Sequence, residues 1–166
     1  MSEDNVQVYS IYINAPAAKV WAAITQSEHT TKWGYGGETE YEMKPGGSYT
    51  NFTTEEMRTV MGMGDVAVSG TVVEVDEPRL LVLDWAPSWH PDSKPTRLTW
   101  ELTEYPSGLT KVELTHDLTA APELAAEVAG GSDPGQGGGG WLWCLSGLKT
   151  LIETGAPMEP MEQPAA

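Results

Sequence analysis

The stretch from residue 38 to residue 118 alternates apolar and polar side chains with a period of two, and this pattern constrains the fold most strongly. Successive side chains of a β-strand point to opposite faces of a sheet, so such alternation predicts strands that bury one face. Short connections with Gly or Pro separate the segments, which favours antiparallel pairing of neighbours. The predicted strands are "GGSYTNF", "VSGTVVEV", "LLVLDW", "TRLTWEL" and "TKVELTHDL".

One face of this predicted sheet is rich in large apolar side chains. Because residues two apart share a face, three neighbouring rows are expected there. Asp84 and Glu101 alternate with Trp85 and Trp100 and should therefore face solvent. The three rows are Leu83 and Trp85; Leu98, Trp100 and Leu102; and Val112, Leu114 and His116.

A strand and two short helices are predicted before the alternating region. Residues 6–14 are rich in β-branched and aromatic side chains, which indicates a strand. In the segment "APAAKVWAAIT" an apolar patch at Val20, Trp21 and Ile24 predicts a first helix, and "SEHTTKW" predicts a second with Ser27 as its cap.

After the alternating region the pattern changes to a helical period. "APELAAEV" predicts a helical turn that ends at Gly130, and a glycine-rich loop follows. From Trp141 to about Thr154 the apolar residues Trp141, Leu145, Leu148 and Ile152 form one stripe. Gly155 and Pro157 then end this helix.

This order of elements predicts an α+β fold in which the last helix packs on one face of an antiparallel sheet. A chain of 166 residues fits one domain, which we assign to residues 1–155. Residues 156–166 are predicted to be a disordered tail. A strongly curved sheet around one helix would leave a hollow between them.

The charge of the chain excludes one class of partner. With 24 acidic and 9 basic residues, a net charge of -15 disfavours binding to the phosphates of nucleic acid. No signal-peptide pattern or membrane-spanning run is present in this sequence, and the single cysteine, Cys144, favours a reducing compartment. We therefore expect a cytoplasmic protein that is a monomer or a homodimer.

Several spaced motifs resemble the activator of heat-shock-protein-90 ATPase-like family. They include "APAAKVWAAITQSEHTTKW" at the start and "GGWLWCLSGLKTLIETG" at the end, and together they span most of residues 8–155. That family is part of the START-like (SRPBCC) superfamily, which includes lipid-transfer domains and polyketide cyclases. The resemblance implies a helix-grip fold: a curved antiparallel sheet wrapped around a long C-terminal helix, with two short helices after the first strand.

The side chains that face each other across the expected hollow are candidates for binding a small hydrophobic or aromatic molecule. Large aromatic walls with a few polar groups are typical of such pockets. Each residue could equally be ordinary core filling, but the total of seven tryptophans favours a pocket. The candidates are Trp33, Tyr49, Met61, Met63, Trp85, Trp100, Leu114, His116, Trp141, Cys144, Leu145 and Leu148.

His116 is the one candidate for catalysis, as a general acid or base, although it can equally serve as a polar anchor or a hydrogen-bonded interior residue. His29 and His90 have no partners at metal-ligand spacing, so neither a metal nor a cofactor is expected. "GQGGGG" lacks the strand that precedes a dinucleotide-binding loop.

Three functions remain open at this point. The first is binding of a small apolar ligand, for sequestration, transport or sensing. The second is a cofactor-free enzyme of the polyketide cyclase or hydrolase type, and the third is a chaperone-associated interaction module. In the first two cases the glycine-rich loop at residues 130–140 is expected to border the opening of the cavity.

Overall fold

The computed structural model describes residues 5–133 and 138–158, and seven strands in these ranges form one antiparallel sheet. The strands are β1 Val6–Ile13, β2 Thr39–Tyr41, β3 Ser48–Phe52, β4 Val66–Asp76, β5 Leu80–Pro87, β6 Thr96–Glu104 and β7 Thr110–Asp117. They lie in the order β1-β7-β6-β5-β4-β3-β2. Strands β2 to β7 therefore form a meander, and β1 pairs with β7 at its far side.

Five α-helices accompany the sheet in the described part of the chain. The longest, α5, is the C-terminal helix. A single 3-10 turn at Pro122–Leu124 leads directly into α4. The helices are α1 Ala17–Thr25, α2 Ser27–Thr30, α3 Glu55–Thr59, α4 Ala125–Ala129 and α5 Gly140–Thr154.

The core lies between one face of the sheet and the helices. Every second residue of β5, β6 and β7 is buried, as the alternation predicts. Leu145, Leu148 and Ile152 of α5 pack into the same core. The predicted α+β, helix-grip architecture is thus confirmed, and so is the predicted solvent-facing side of β6 at Glu101.

Two short elements do not follow from the periodic pattern. Strand β2 has three residues and lies at the edge of the sheet, next to β3. Helix α3 lies between β3 and β4, where no helix was predicted, and its first turn is held by Thr54, whose hydroxyl accepts a hydrogen bond from Met57 N at 3.2 Å. Elements this short depend on single caps and neighbours, so periodicity does not reveal them.

The prediction for Ser27 is wrong. Gln26 is the N-cap of α2, and the Ser27 hydroxyl instead bridges to β2: it donates to Thr39 O and accepts from Thr39 N, both at 2.9 Å. The second helix also ends earlier than predicted, at Thr30. Ser27 therefore ties α2 to the edge of the sheet.

The C-terminal helix begins and ends close to its predicted limits. It starts at Gly140 and is followed by Gly155 with a φ of 81°, the left-handed conformation that favours glycine. Part of the loop expected to border an opening, residues 134–137, lies outside the described residues. So does most of the predicted tail, because only residues 156–158 of it are described.

Candidate functional site

Five rings from separate parts of the chain meet between the sheet and the start of α5, and we call this group the aromatic cluster. Its members are Trp33, Trp85, Trp100, His116 and Trp141. Most of the ring pairs meet edge to face or tilted, the arrangements that aromatic rings prefer. Centroid distances are 4.9 Å for Trp85–His116, 5.9 Å for His116–Trp141, 6.1 Å for Trp85–Trp141, and 6.2 Å for both Trp100–Trp141 and Trp33–Trp100.

The sheet places three members of the aromatic cluster side by side. Trp85, Trp100 and His116 are on the adjacent strands β5, β6 and β7, at positions whose side chains point to the buried face. Trp141 comes from the first turn of α5, opposite them. Trp33 follows α2, and its indole N–H donates to Ala23 O at 2.8 Å, which fixes the ring against α1.

Both nitrogens of His116 have partners. The indole N–H of Trp141 donates to His116 Nδ1 at 3.0 Å, and Thr96 Oγ1 lies 2.7 Å from Nε2. An indole nitrogen is only a donor, so Nδ1 is the acceptor and the hydrogen of a neutral ring is on Nε2. Nε2–H then donates to Thr96 Oγ1, whose own hydroxyl donates to Trp85 O at 3.4 Å.

Burial keeps the His116 ring neutral. The side chain has no exposed surface, and loss of solvent lowers the pKa of His116 to about 4, with Asp117 opposing the shift. Asp117 points to the other face and bonds to Thr119, so the two adjacent residues form no dyad. With both nitrogens engaged, His116 is a hydrogen-bonded interior residue in the unliganded structure.

The aromatic cluster reaches the surface through Trp89, in the loop between β5 and β6. Its ring meets that of Trp85 edge to face at 6.3 Å, and 44% of the residue is exposed. The indole N–H of Trp89 donates to Glu127 Oε1 on α4. The other oxygen of that carboxylate lies 2.7 Å from His90 Nε2.

Four of the predicted site residues belong to a closely packed core. Leu114, His116, Leu145 and Leu148 have no exposed surface, so no water-sized space adjoins them. In the unliganded structure these four side chains border no open space, because the rings of the aromatic cluster pack against one another between the sheet and α5. Two recesses on the described surface lie elsewhere, one beside Arg79 and Glu104 and the other beside Phe52 and Arg58.

The remaining predicted residues lie around or away from the aromatic cluster. Cys144 is buried on α5 next to Gly34, and burial raises the pKa of its thiol to about 12. Tyr49 stacks on Tyr41 at 4.8 Å. Met63 is half-buried and Met61 is 53% exposed in the loop after α3, and no contact of either with the aromatic cluster appears in the described structure.

Three residues that contact the aromatic cluster or its neighbours were not predicted from the sequence: Thr96, Trp89 and Glu127. Thr96 has the same parity as Leu98 and Trp100, so the alternating pattern already indicated that it faces the core. Trp89 and Glu127 are 38 positions apart, on a loop and a short helix. No local pattern predicts that they meet.

The described residues offer neither a membrane-spanning helix nor a cluster of metal ligands. No described helix has both the length and the apolar composition needed to cross a membrane. Among residues 5–133 and 138–158, no three His, Cys, Asp or Glu side chains come together as ligands of a metal ion would.

Comparison with known proteins identifies one family. The family described as Activator of Hsp90 ATPase homolog 1-like protein matches residues 14–153. No curated protein matches the chain significantly.

Solved structures share the fold at low sequence identity. CalU16 from Micromonospora echinospora is 21% identical, with 94% of this chain and 78% of that chain covered and a TM-score of 0.64. The protein encoded by gene BPP1335 from Bordetella parapertussis is 23% identical, with 95% of this chain and 78% of that chain covered and a TM-score of 0.68. PFC0360w, an HSP90 activator from Plasmodium falciparum, is 20% identical, with 68% of this chain and 71% of that chain covered and a TM-score of 0.53.

Proposed function

This chain belongs to the Activator of Hsp90 ATPase homolog 1-like protein family, and from that premise we propose that it binds a small, planar, apolar molecule at the aromatic cluster. A fold of this kind serves several functions, so the function of one member depends on the residues of its site. The observation that carries the proposal is the meeting of four indoles and a neutral imidazole beside a surface-exposed fifth indole, Trp89.

In the absence of a ligand the rings of the aromatic cluster pack against one another. Trp141 is the member best placed to move. It lies in the first turn of α5 and is only partly buried, whereas Trp85 and Trp100 are held within the sheet. A flat molecule that takes the place of the Trp141 ring regains its tilted contact with Trp85 and its edge-to-face contact with Trp100. The closed protein therefore binds by exchanging one ring for another.

The bond between Trp141 and His116 restricts the ligand further. When the indole leaves, His116 Nδ1 loses its donor, and a buried acceptor without a partner is costly. A hydroxyl or N–H group on the ligand restores that bond. The net charge of -15 disfavours anions, so the favoured ligand is a neutral aromatic molecule with one hydrogen-bond donor.

The test uses N-phenyl-1-naphthylamine, a neutral aromatic probe with one N–H group. Binding should raise the probe's emission through energy transfer from tryptophan. The variant Trp141→Phe lacks the indole N–H, so opening no longer breaks the bond to His116, and its affinity should be about fivefold higher. Isothermal titration calorimetry gives the affinities.

The matched control is Trp21→Phe, which changes a buried tryptophan on α1 outside the aromatic cluster. Its affinity for the probe should equal that of the unmodified protein. If neither the unmodified protein nor Trp141→Phe binds the probe, or if both variants change its affinity equally, the proposal is wrong.

A further inference from the structure

We infer that Glu127 is a clasp that holds the β5–β6 loop, residues 88–95, closed over the aromatic cluster and thereby controls access to it. The effect on access rests on the proposed function, whereas the clasp itself is a property of the unliganded protein. This inference is based on the Glu127 carboxylate, which hydrogen-bonds to two consecutive side chains of the loop, Trp89 and His90.

The two oxygens of Glu127 divide the contacts between them. Oε1 accepts from the Trp89 indole N–H, and Oε2 lies 2.7 Å from His90 Nε2. One helical turn earlier, Glu123 accepts a hydrogen bond from the Ser93 hydroxyl at 2.6 Å. Two carboxylates spaced by four residues thus hold both halves of the loop.

The loop has few other attachments. In the described structure, Ser88 N donates to Ala67 O at 2.8 Å, where the loop leaves β5. The backbone bonds from His90 N to Pro87 O and from Ser93 N to His90 O are local turns. Between Ser88 and Thr96, the hydrogen bonds that leave the loop are therefore the three side-chain bonds to the carboxylates.

Helix α4, which carries Glu127, is held firmly in place. Gln7 Nε2 on β1 donates to Ala125 O at 2.8 Å, which ties the start of α4 to the sheet. At the other end of α4, a Cβ on Gly130 would lie 2.2 Å from Gly139 O, so the backbones preceding and following residues 131–138 are in close contact. When the clasp opens, the loop is the part that moves.

Release of the clasp uncovers the aromatic cluster because Trp89 is the ring that stands over Trp85. Glu127 and His90 are both about a third exposed, with side-chain exposures of 39% and 35%. Ion pairs and hydrogen bonds in such positions are screened by water and contribute modestly. The loop is therefore held closed by bonds weak enough to open without unfolding the sheet.

The first measurement is hydrogen exchange of the unliganded protein. Glu127→Ala removes both bonds without a helix-breaking residue, and the hydrogen-bonded amides of His90 and Ser93 should exchange about tenfold faster, while those of β7 stay unchanged. Trp89→Phe, which keeps a ring but lacks the N–H, should have a smaller effect in the same direction. The control Glu56→Ala removes an exposed helical carboxylate of α3 and should leave this loop unchanged.

The second measurement is the rate at which N-phenyl-1-naphthylamine enters, followed by stopped-flow fluorescence. Glu127→Ala should accelerate entry about fivefold relative to Glu56→Ala. Unchanged exchange of the His90 and Ser93 amides in Glu127→Ala overturns the clasp. Faster exchange with unchanged entry supports the clasp and overturns its control of access, whereas absence of probe binding in every variant counts against the proposed function alone.

Discussion

His116 illustrates how the surroundings of one residue set its chemistry. The unfolded chain gives this imidazole its ordinary pKa near 6.5, whereas burial lowers the folded-state pKa to about 4. Between these values the unfolded state binds a proton that the folded state does not. The free energy of unfolding contributed by His116 is therefore fully present above pH 6.5 and falls as the pH drops towards 4.

This yields a prediction for NMR of the unmodified protein. Long-range proton–nitrogen spectra should show His116 neutral at pH 6, with hydrogen on Nε2 and an unprotonated Nδ1, because the Trp141 indole donates to Nδ1. Protonation should occur only near pH 4. An imidazolium signal for His116 at pH 6, or hydrogen on Nδ1, would contradict the hydrogen-bond assignment.

At the scale of elements, the strands and the start of α5 depend on close backbone approaches. Gly70 on β4 pairs with Trp85 on β5, and a Cβ at Gly70 would lie 1.6 Å from Asp84 O. The absence of a side chain there lets β4 and β5 approach. At the start of α5, the rings of Trp143 and Tyr35 pack at a tilt with their centroids 4.8 Å apart, and the Tyr35 hydroxyl accepts a hydrogen bond from Gly139 N at 2.8 Å.

Trp143, which closely follows the glycines at residues 138–140, therefore has a packing role. Trp143 lies off the buried stripe of α5, and its partner is a loop residue, Tyr35. A Cβ at Gly139 would lie 2.7 Å from Trp143 Cβ. Gly139 thus makes room for the Trp143 ring, and Gly140, where a Cβ would lie 2.6 Å from Val128 O, makes room for the end of α4.

Gly70→Ala tests the importance of the close strand pairing. The added methyl group meets the backbone of β5, which cannot move aside as a side chain does, so the free energy of unfolding should fall by about 2 to 3 kcal/mol. Gly64→Ala is the control, because a Cβ there meets nothing within 4 Å. Urea denaturation should show a change below about 0.5 kcal/mol for the control, and equal effects at both sites would refute the argument.

At the scale of the whole molecule, the excess of acidic residues opposes folding. A net charge of -15 in 166 residues brings like charges together in the native state. The ion pairs of the described residues are mostly on the surface, for example Arg79–Asp76 and Lys149–Glu153, and such pairs offset little of this repulsion. Added salt should therefore stabilise the protein by screening the repulsion.

Thermal unfolding followed by circular dichroism measures this effect. Raising sodium chloride from about 10 mM to about 300 mM should increase the midpoint of unfolding by about 2 to 5 °C. Sodium chloride is preferred to sulfate, which stabilises proteins by exclusion from their surface. A midpoint that falls with salt would mean that attractive surface pairs outweigh the net repulsion.

Local periodicity determined much of the fold from the sequence alone. Side-chain direction repeats every two residues in a strand and about every 3.6 in a helix, so the buried faces of β5, β6, β7 and α5 were predictable. The membership of Trp85, Trp100, His116 and Trp141 in one region followed from those faces. Elements of three to five residues, such as β2 and α3, carry too few repeats for such a prediction.

Only the tertiary structure decided how the buried faces fill space and which distant groups meet. Periodicity gives a side chain's direction but not the distance to the opposite layer, so it did not reveal that the aromatic cluster fills the expected hollow. The bond from Trp141 to His116 and the hold of Glu127 on Trp89 join segments 25 and 38 residues apart. Such contacts depend on the relative placement of whole elements, which is set by packing throughout the molecule.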